Sequence, residues 1–162
     1  MTRKAGFPAV VDAGTRVLIL GSLPGEASLA LAQYYGNPRN AFWRLMEGVL
    51  GAPLVCLGYE DRLATLLARG VGLWDVIAQA ERPGSLDAAI RDPAANDLAA
   101  LIDTLPNLRG VAFNGGTAAR LGSRLIGDRV ATLALPSSSP AHAARSFEDK
   151  ARAWKAVAGW LA

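Results

Sequence analysis

Four short apolar runs, each bounded by turn-forming residues, constrain this chain more than any other feature. Val17-Leu18-Ile19-Leu20 closes on Gly21, and Val71-Gly72-Leu73-Trp74-Asp75-Val76-Ile77 follows Gly70. Gly110-Val111-Ala112-Phe113-Asn114 closes on Gly115-Gly116, and Val130-Ala131-Thr132-Leu133-Ala134-Leu135 closes on Pro136. Runs of this length, aliphatic and punctuated by Gly or Pro, read as buried strands. The segments between them have helical spacing. Residues 60–69 place Leu63, Leu66 and Leu67 on one face, and further helices are predicted over 96–105 and 117–125. From Asn40 onward Phe42, Leu45, Met46, Val49 and Leu50 recur at helical spacing, with Asn40 as an N-cap and Gly51 as a stop. A helical turn is predicted over 28–33, and a long final helix over 146–161. That last helix opens with a variant capping box, Ser146-x-x-Asp149, and turns Phe147, Ala151, Trp154, Val157, Ala158 and Leu161 inward. Residues 78–93 read as a mostly polar connection ending in Asp92-Pro93. Strands alternating with helices imply a parallel sheet covered on both faces. The expected fold is therefore α/β, a three-layer α/β/α sandwich with a four-stranded parallel sheet. With no linker, internal repeat or low-complexity tract, it should form one domain over residues 1–162.

Composition excludes several classes. A chain of 162 residues can bury roughly two-thirds of its unfolded surface, and no run approaches the ~18 apolar residues of a membrane span. The N-terminus has two cations but no sustained apolar stretch before a small-residue cleavage site, so no secretory leader is expected. Cys56, the single cysteine, has no partner for an internal disulfide and is expected to be a buried small apolar residue. No His and Cys stand at metal-ligand spacing, so neither metal nor cofactor is expected. The balance of 17 Lys+Arg against 14 Asp+Glu, a net +3, permits phosphate binding without establishing it.

In an open parallel sheet the ligand crevice lies beyond the carboxyl ends of the strands. Three polar loops leave such ends: residues 21–25, Asn114-Gly115-Gly116, and residues 136–142. They should converge on one rim. Near the first loop, Asn37, Arg39 and Asn40 stand among Tyr34, Tyr35, Phe42 and Trp43. Amides, a cation and flat rings together suit a planar polar base beside a phosphate; the same residues also suit a loop closed by aromatic core side chains. Asn40 can be a cap and nothing more, and Asn114 can read a base or cap the helix that follows. Asp75, at a similar strand end, reads as structural. A serine hydrolase would need a Gly-x-Ser-x-Gly elbow, which is missing, and neither glycine-rich phosphate motif is spaced correctly in 21–25.

The ordered set Gly21-Ser22-Leu23-Pro24-Gly25, Tyr35-x-x-Pro38-x-Asn40-x-Phe42-Trp43 and Leu135-Pro136-Ser137-Ser138-Ser139-Pro140-Ala141-His142-Ala143 spans nearly the whole chain. Gly72-Leu73-Trp74-Asp75-Val76 and Phe113-Asn114-Gly115 fall between. This set resembles the uracil-DNA glycosylase superfamily, and within it most of all the hypoxanthine-DNA (deoxyinosine) glycosylase branch. The resemblance implies a monofunctional DNA glycosylase of base excision repair. Such an enzyme flips a deaminated base, hypoxanthine or uracil, out of DNA and hydrolyses its N-glycosidic bond to leave an abasic site. It further implies a monomer acting in the cytoplasm beside the nucleoid, on DNA as sole partner and without a cofactor. No lysine is placed in the three loops for Schiff-base chemistry.

Hydrolysis of that bond passes through an oxocarbenium-like transition state, so catalysis rests on placing water and stabilising charge. By resemblance Asn40 is the catalytic residue that holds the water. The first loop departs from the wider superfamily, which places Asp or Asn where this chain has Leu23, and Leu23 cannot activate water. Either Asn40 or Asn114 has then assumed the task, or the protein is a weakly active or non-catalytic binder of DNA lesions. By resemblance Phe42 stacks on the flipped base, which Gly21, Ser22, Leu23, Pro24, Tyr35 and Asn114 also line. Gly25 replaces a bulky tyrosine of uracil-only relatives and leaves room for a purine. Ser137, Ser138 and Ser139, with Arg39, would grip DNA phosphates, and Pro140 and Ala141 would act as a small wedge. A rigid polar turn is the other reading of that loop. His142 stands later in the loop than a catalytic histidine of the superfamily would, which suits phosphate or wedge contact.

Overall fold

The computed structural model describes residues 3–141 and 144–162. Its strands are β1 (Arg3–Ala5), β2 (Val17–Gly21), β3 (Val71–Asp75), β4 (Ile77–Glu81), β5 (Arg91–Ala95), β6 (Gly110–Asn114) and β7 (Ala131–Leu135). The helices are α1 (Glu26–Leu31), α2 (Phe42–Leu50), α3 (Tyr59–Ala68), α4 (Leu98–Asp103), α5 (Gly116–Ile126) and α6 (Phe147–Trp154). Four strands pair in the order β3-β2-β6-β7, all parallel. The expected three-layer α/β/α architecture is the one observed.

The central strand shows why. Every residue of β2 is buried, because its alternate side chains feed two separate cores. Val17 and Ile19 pack with residues of α2, α3 and α6, including Met46, Leu66 and Trp154. Leu18 and Leu20 pack with Leu98 and Ile102 of α4 and Ala118 and Ile126 of α5. Two helical layers thus close over one sheet, and the only polar outlet for its strands is the edge.

Three expectations need correction. The polar connection over 78–93 is not a loop: β4 and β5 form an antiparallel hairpin that β1 extends into a second, three-stranded sheet. β5 carries Pro93 and leaves most of its residues exposed, as an edge strand can when backbone pairing rather than burial holds it. The run 71–77 accordingly splits in two at Val76. Cys56 is exposed, not buried; Leu54 takes the interior position of that turn, and Arg62 bonds the carbonyls of Leu54 and Val55 above it. The final helix is α-helical only to Trp154, then tightens to a 3-10 helix over Lys155–Trp160. Its start is as expected, since the Asp149 N–H donates to Ser146 Oγ at 3.1 Å.

Gly122 of α5 faces Phe113 of β6, and a Cβ there would lie 2.4 Å from the ring and 3.1 Å from Val76 Cγ2. Phe113 is only 2 % exposed, so the ring cannot swing away. Gly122→Ala should therefore cost about 1–3 kcal/mol by overpacking, against a gain of about 1 kcal/mol in helix propensity. The net expectation is a melting temperature lower by roughly 2–4 °C. An unchanged or higher value in thermal unfolding would contradict this packing.

Candidate active site

Three loops that leave the carboxyl edge of the parallel sheet gather at one cleft of about 600 Å³, a size that suits a nucleoside-sized ligand. Gly21, Ser22, Leu23, Pro24 and Gly25 line it from one strand end, Asn114 and Gly115 from another, and Ser137, Ser138, Ser139, Pro140 and Ala141 from a third. Tyr35 and Asn40 complete the wall.

Ser138 ties the parts together. It is 1 % exposed, and its N–H donates to Asn114 Oδ1 at 2.9 Å while its Oγ accepts from Asn114 Nδ2 at 2.9 Å. Its carbonyl accepts the Ala41 N–H at 3.0 Å, immediately before α2 begins. Asn114 does not cap α5; its amide is spent on Ser138 and on the Tyr35 hydroxyl, 3.3 Å from Nδ2. Gly115 caps α5 instead with φ at +100°, a left-handed conformation that glycine adopts without strain.

Asn40 lines the cleft just ahead of α2. Its Oδ1 accepts the Phe42 N–H at 3.0 Å, but the N-cap anticipated at Asn40 falls one residue later on Ala41, which has no side-chain cap bond. One lone pair of Oδ1 stays free, and Nδ2 has no hydrogen-bond partner among the described residues. A carboxamide pinned in this way offers both an acceptor and donors in a fixed orientation.

Phe42 sits behind the wall. It is fully buried, and the Tyr35 ring lies on it at 3.8 Å between centroids and 12° between planes. Tyr35 is therefore the ring at the cleft, held in a left-handed backbone conformation with φ at +54° and anchored by Trp43 Nε1–H donating to its carbonyl. Arg39 is exposed beside Asn37 and Asn40 but is not part of the lining. His142 falls outside the described residues.

Ser137 Oγ accepts the Ser139 N–H, and Ser139 Oγ accepts the Ala141 N–H. Each hydroxyl thus retains its own proton to donate outward. Beneath the loop, Lys150 is 6 % exposed and directs Nζ at the Ser139 carbonyl, 3.4 Å away. Burial lowers the Lys150 pKa, and Arg145 adds to the effect.

The opposite wall holds residues that sequence reasoning missed. Arg82, 1 % exposed, donates to the carbonyls of Leu23 at 3.3 Å, Pro24 at 2.6 Å and Gly84 at 2.8 Å. It clamps the first loop from the small sheet. Ser22 Oγ donates to Asp87 Oδ1 at 2.7 Å, and the Glu26 N–H donates to Ser85 Oγ. These residues lie in the stretch read as a connection, where only the turn Arg82-Pro83-Gly84 hinted at order. Asp75 is 5 % exposed and lines the cleft, with Oδ2 buried and unpartnered. Burial, then the nearby Asp87 carboxylate, pushes its pKa up to about 7, with Arg82 pulling the other way.

Known proteins resemble this chain over nearly its whole length. The family model for the uracil DNA glycosylase superfamily matches residues 8–158. A hypoxanthine DNA glycosylase of Methanosarcina acetivorans is 44% identical over 154 residues, covering 95% of this chain and 97% of the relative. Its counterpart in Methanosarcina barkeri is 41% identical over 152 residues, or 94% and 96% of the two chains. A solution NMR structure from Methanosarcina acetivorans, named as a candidate uracil DNA glycosylase, superposes with a TM-score of 0.88 at 43% identity over 99% of both chains.

The elevated Asp75 pKa makes a stability prediction. A folded-state pKa near 7 against an ordinary 3.8 means that the folded state keeps a proton the unfolded chain has released. This favours folding relatively at low pH and is lost as pH rises through 7. Asp75→Asn should therefore match the parent in urea unfolding near pH ~4 and exceed it by roughly 2–4 kcal/mol near pH ~8. A difference that does not vary with pH would contradict the burial of an uncompensated carboxyl.

Proposed function

The chain belongs to the uracil DNA glycosylase superfamily, and from that premise we propose that it is a monofunctional DNA glycosylase. It extrudes a deaminated base, hypoxanthine foremost and uracil as an alternative, and hydrolyses the N-glycosidic bond. The observation that carries this reading is the single cleft in which Asn40, Tyr35, Asn114 and the serine loop meet.

The chemistry follows from the placement. As the bond breaks, the sugar becomes cationic and the departing base anionic, so fixed dipoles and a placed water lower the barrier more than a strong nucleophile would. Asn40, oriented by the Phe42 N–H, holds the attacking water through the free lone pair of Oδ1 and through Nδ2. The N-terminus of α5, with Gly115, Gly116 and Thr117 at the cleft, supplies positive potential to the leaving base. Tyr35, backed by Phe42, offers the stacking surface assigned from sequence to Phe42 itself, a contact worth about 1–3 kcal/mol per base. The outward hydroxyls of Ser137 and Ser139, with exposed Arg39, bind the flanking phosphates, and Pro140 and Ala141 stand at the rim where the base leaves the stack. Extrusion costs a few kcal/mol and least where pairing is already weakened, which favours deaminated sites.

Leu23, 6 % exposed and packed with Ile77 and Ala80 of the small sheet, supports a second reading, a lesion binder without turnover. An oligonucleotide bearing one deoxyinosine separates the two: strand scission after alkali indicates a glycosylase, and tight binding without scission a binder. Asn40→Ala should lower single-turnover excision by about a hundredfold or more while costing only about 1 kcal/mol of stability from the lost bond to the Phe42 N–H. Undiminished excision would remove Asn40 from the hydrolytic step.

A further inference from the structure

Asp75, Gly21 and Asn114 end three adjacent strands at one level. Gly21 pairs with Asp75 in the β2/β3 register, and Asn114 lies one step past the Leu20–Phe113 pair of β2 and β6. Residues level with one another on neighbouring strands point to the same face. A carboxyl and a carboxamide therefore flank a position that has no side chain. With strands about 4.8 Å apart, the two outer Cα atoms stand roughly 10 Å from each other. The carboxyl leans inward: a Cβ on Gly21 would lie 2.7 Å from Asp75 Oδ1 and 3.3 Å from the Tyr35 hydroxyl oxygen. Acceptor and hydroxyl thus converge over Gly21, and the hydroxyl also receives Asn114 Nδ2–H.

Nothing in the fold accounts for this carboxyl. Its Oδ2 is buried without a partner, although Arg82 is close enough to favour its charge and instead bonds only backbone carbonyls. The other oxygen, Oδ1, is the one over Gly21 at the cleft, and it too accepts no hydrogen bond among the described residues; an acceptor left free there calls for a donor from a ligand.

Resting on the reading of the cleft as a base pocket, we propose that Asp75 is the specificity residue that accepts the ring N–H created when a base is deaminated. Deamination of adenine changes its pairing edge from an acceptor nitrogen beside an amino donor to an N–H donor beside a carbonyl acceptor. Asp75 Oδ1 meets the N–H, and the Tyr35 hydroxyl, which accepts from Asn114 Nδ2 and keeps its own proton to donate, meets the carbonyl. Adenine would set its N1 lone pair against the carboxylate and its amino group against donors, leaving both sides unpaired, which is the strongest form of rejection by a polar site. Uracil presents the same N–H and carbonyl pair and satisfies the same groups.

The charge state supports the assignment. Only the ionised carboxylate is purely an acceptor, since a protonated one can also donate to the adenine N1. The groups facing Asp75 are Asp87 on the short 3-10 turn, Arg82 beyond β4, and Tyr34 and Tyr35 ahead of α2. Burial keeps both tyrosines neutral, Tyr35 titrating well above its ordinary value, so they remain donors throughout. Preference for deoxyinosine over deoxyadenosine should then be greatest above pH ~7 and shrink toward pH ~5.

The decisive probe is 1-methyldeoxyinosine, which keeps the carbonyl and lacks the N–H. Single-turnover excision is measured on oligonucleotides carrying deoxyinosine or its 1-methyl form, with the parent and with Asp75→Ala. The parent should prefer deoxyinosine by about tenfold or more, and Asp75→Ala should lose about tenfold on deoxyinosine while treating the two bases nearly alike. A preference as large in Asp75→Ala as in the parent overturns the proposal. Should Asp75→Ala fail to fold by circular dichroism, the pH dependence of preference in Asp75→Asn decides: a flat profile supports the assignment, and the parental slope overturns it. A parent that excises neither base, with Asp75 intact, refutes the functional reading itself.

Discussion

The cleft depends on the hydrogen bonds of one buried serine. Ser138 spends its N–H, hydroxyl and carbonyl on Asn114 and on the Ala41 N–H. In doing so it joins the end of β6, the serine loop and the start of α2 into one rigid corner. Each of these bonds is worth only about 1 kcal/mol net, but leaving any of the buried groups unpaired would cost about 1–3 kcal/mol. The arrangement is therefore held in place chiefly by the penalty for breaking it. Asn40 and Tyr35 inherit their positions from this corner, since the first adjoins Ala41, whose N–H Ser138 holds, and the second stacks on Phe42, the first residue of α2.

On the other side of Gly21 the molecule does the reverse and tolerates an unfavourable group. Asp75 is buried without a side-chain partner, and Gly21 can carry no side chain beside it without striking its Oδ1. Local rules of polar satisfaction are broken at this one strand end while Asn114, level with it, is fully bonded. Violations of this kind concentrate where function is served at the expense of stability. The small antiparallel sheet matters here, because it brings Arg82 and Asp87 against the first loop and encloses Asp75. Leu23 of that loop packs against Ile77 and Ala80 of the same small sheet.

Much of this was legible in the sequence. The parallel sheet was, because a two-sided buried strand such as Val17–Gly21 is written as an unbroken aliphatic run, and α2 because its apolar spacing and Gly51 stop are unambiguous. Convergence of the three loops followed from strand polarity alone. What escaped was of another kind. The strands Ile77–Glu81 and Arg91–Ala95 are polar, short and partly exposed, and only the pairing of Ile77–Glu81 with Arg3–Ala5 on one side and Arg91–Ala95 on the other reveals them. From sequence Phe42 was the stacking ring and Tyr35 only part of the lining; the ring that faces the cleft is Tyr35, at a left-handed turn that no spacing rule predicts. Asp75 looked structural because a lone carboxylate at a strand end carries no motif, and its meaning lies in the empty position beside it.

All of these roles require that a single extruded base occupy the cleft at the carboxyl edge of the sheet. A crystal structure with an oligonucleotide containing 2′-fluoro-2′-deoxyinosine, whose glycosidic bond resists hydrolysis, tests it directly. The hypoxanthine is expected outside the helix, stacked at Tyr35, with Asn40 facing the anomeric carbon and the ring N–H directed at Asp75. A base still stacked in the DNA, or lodged away from residues 21–25 and 136–141, would contradict it.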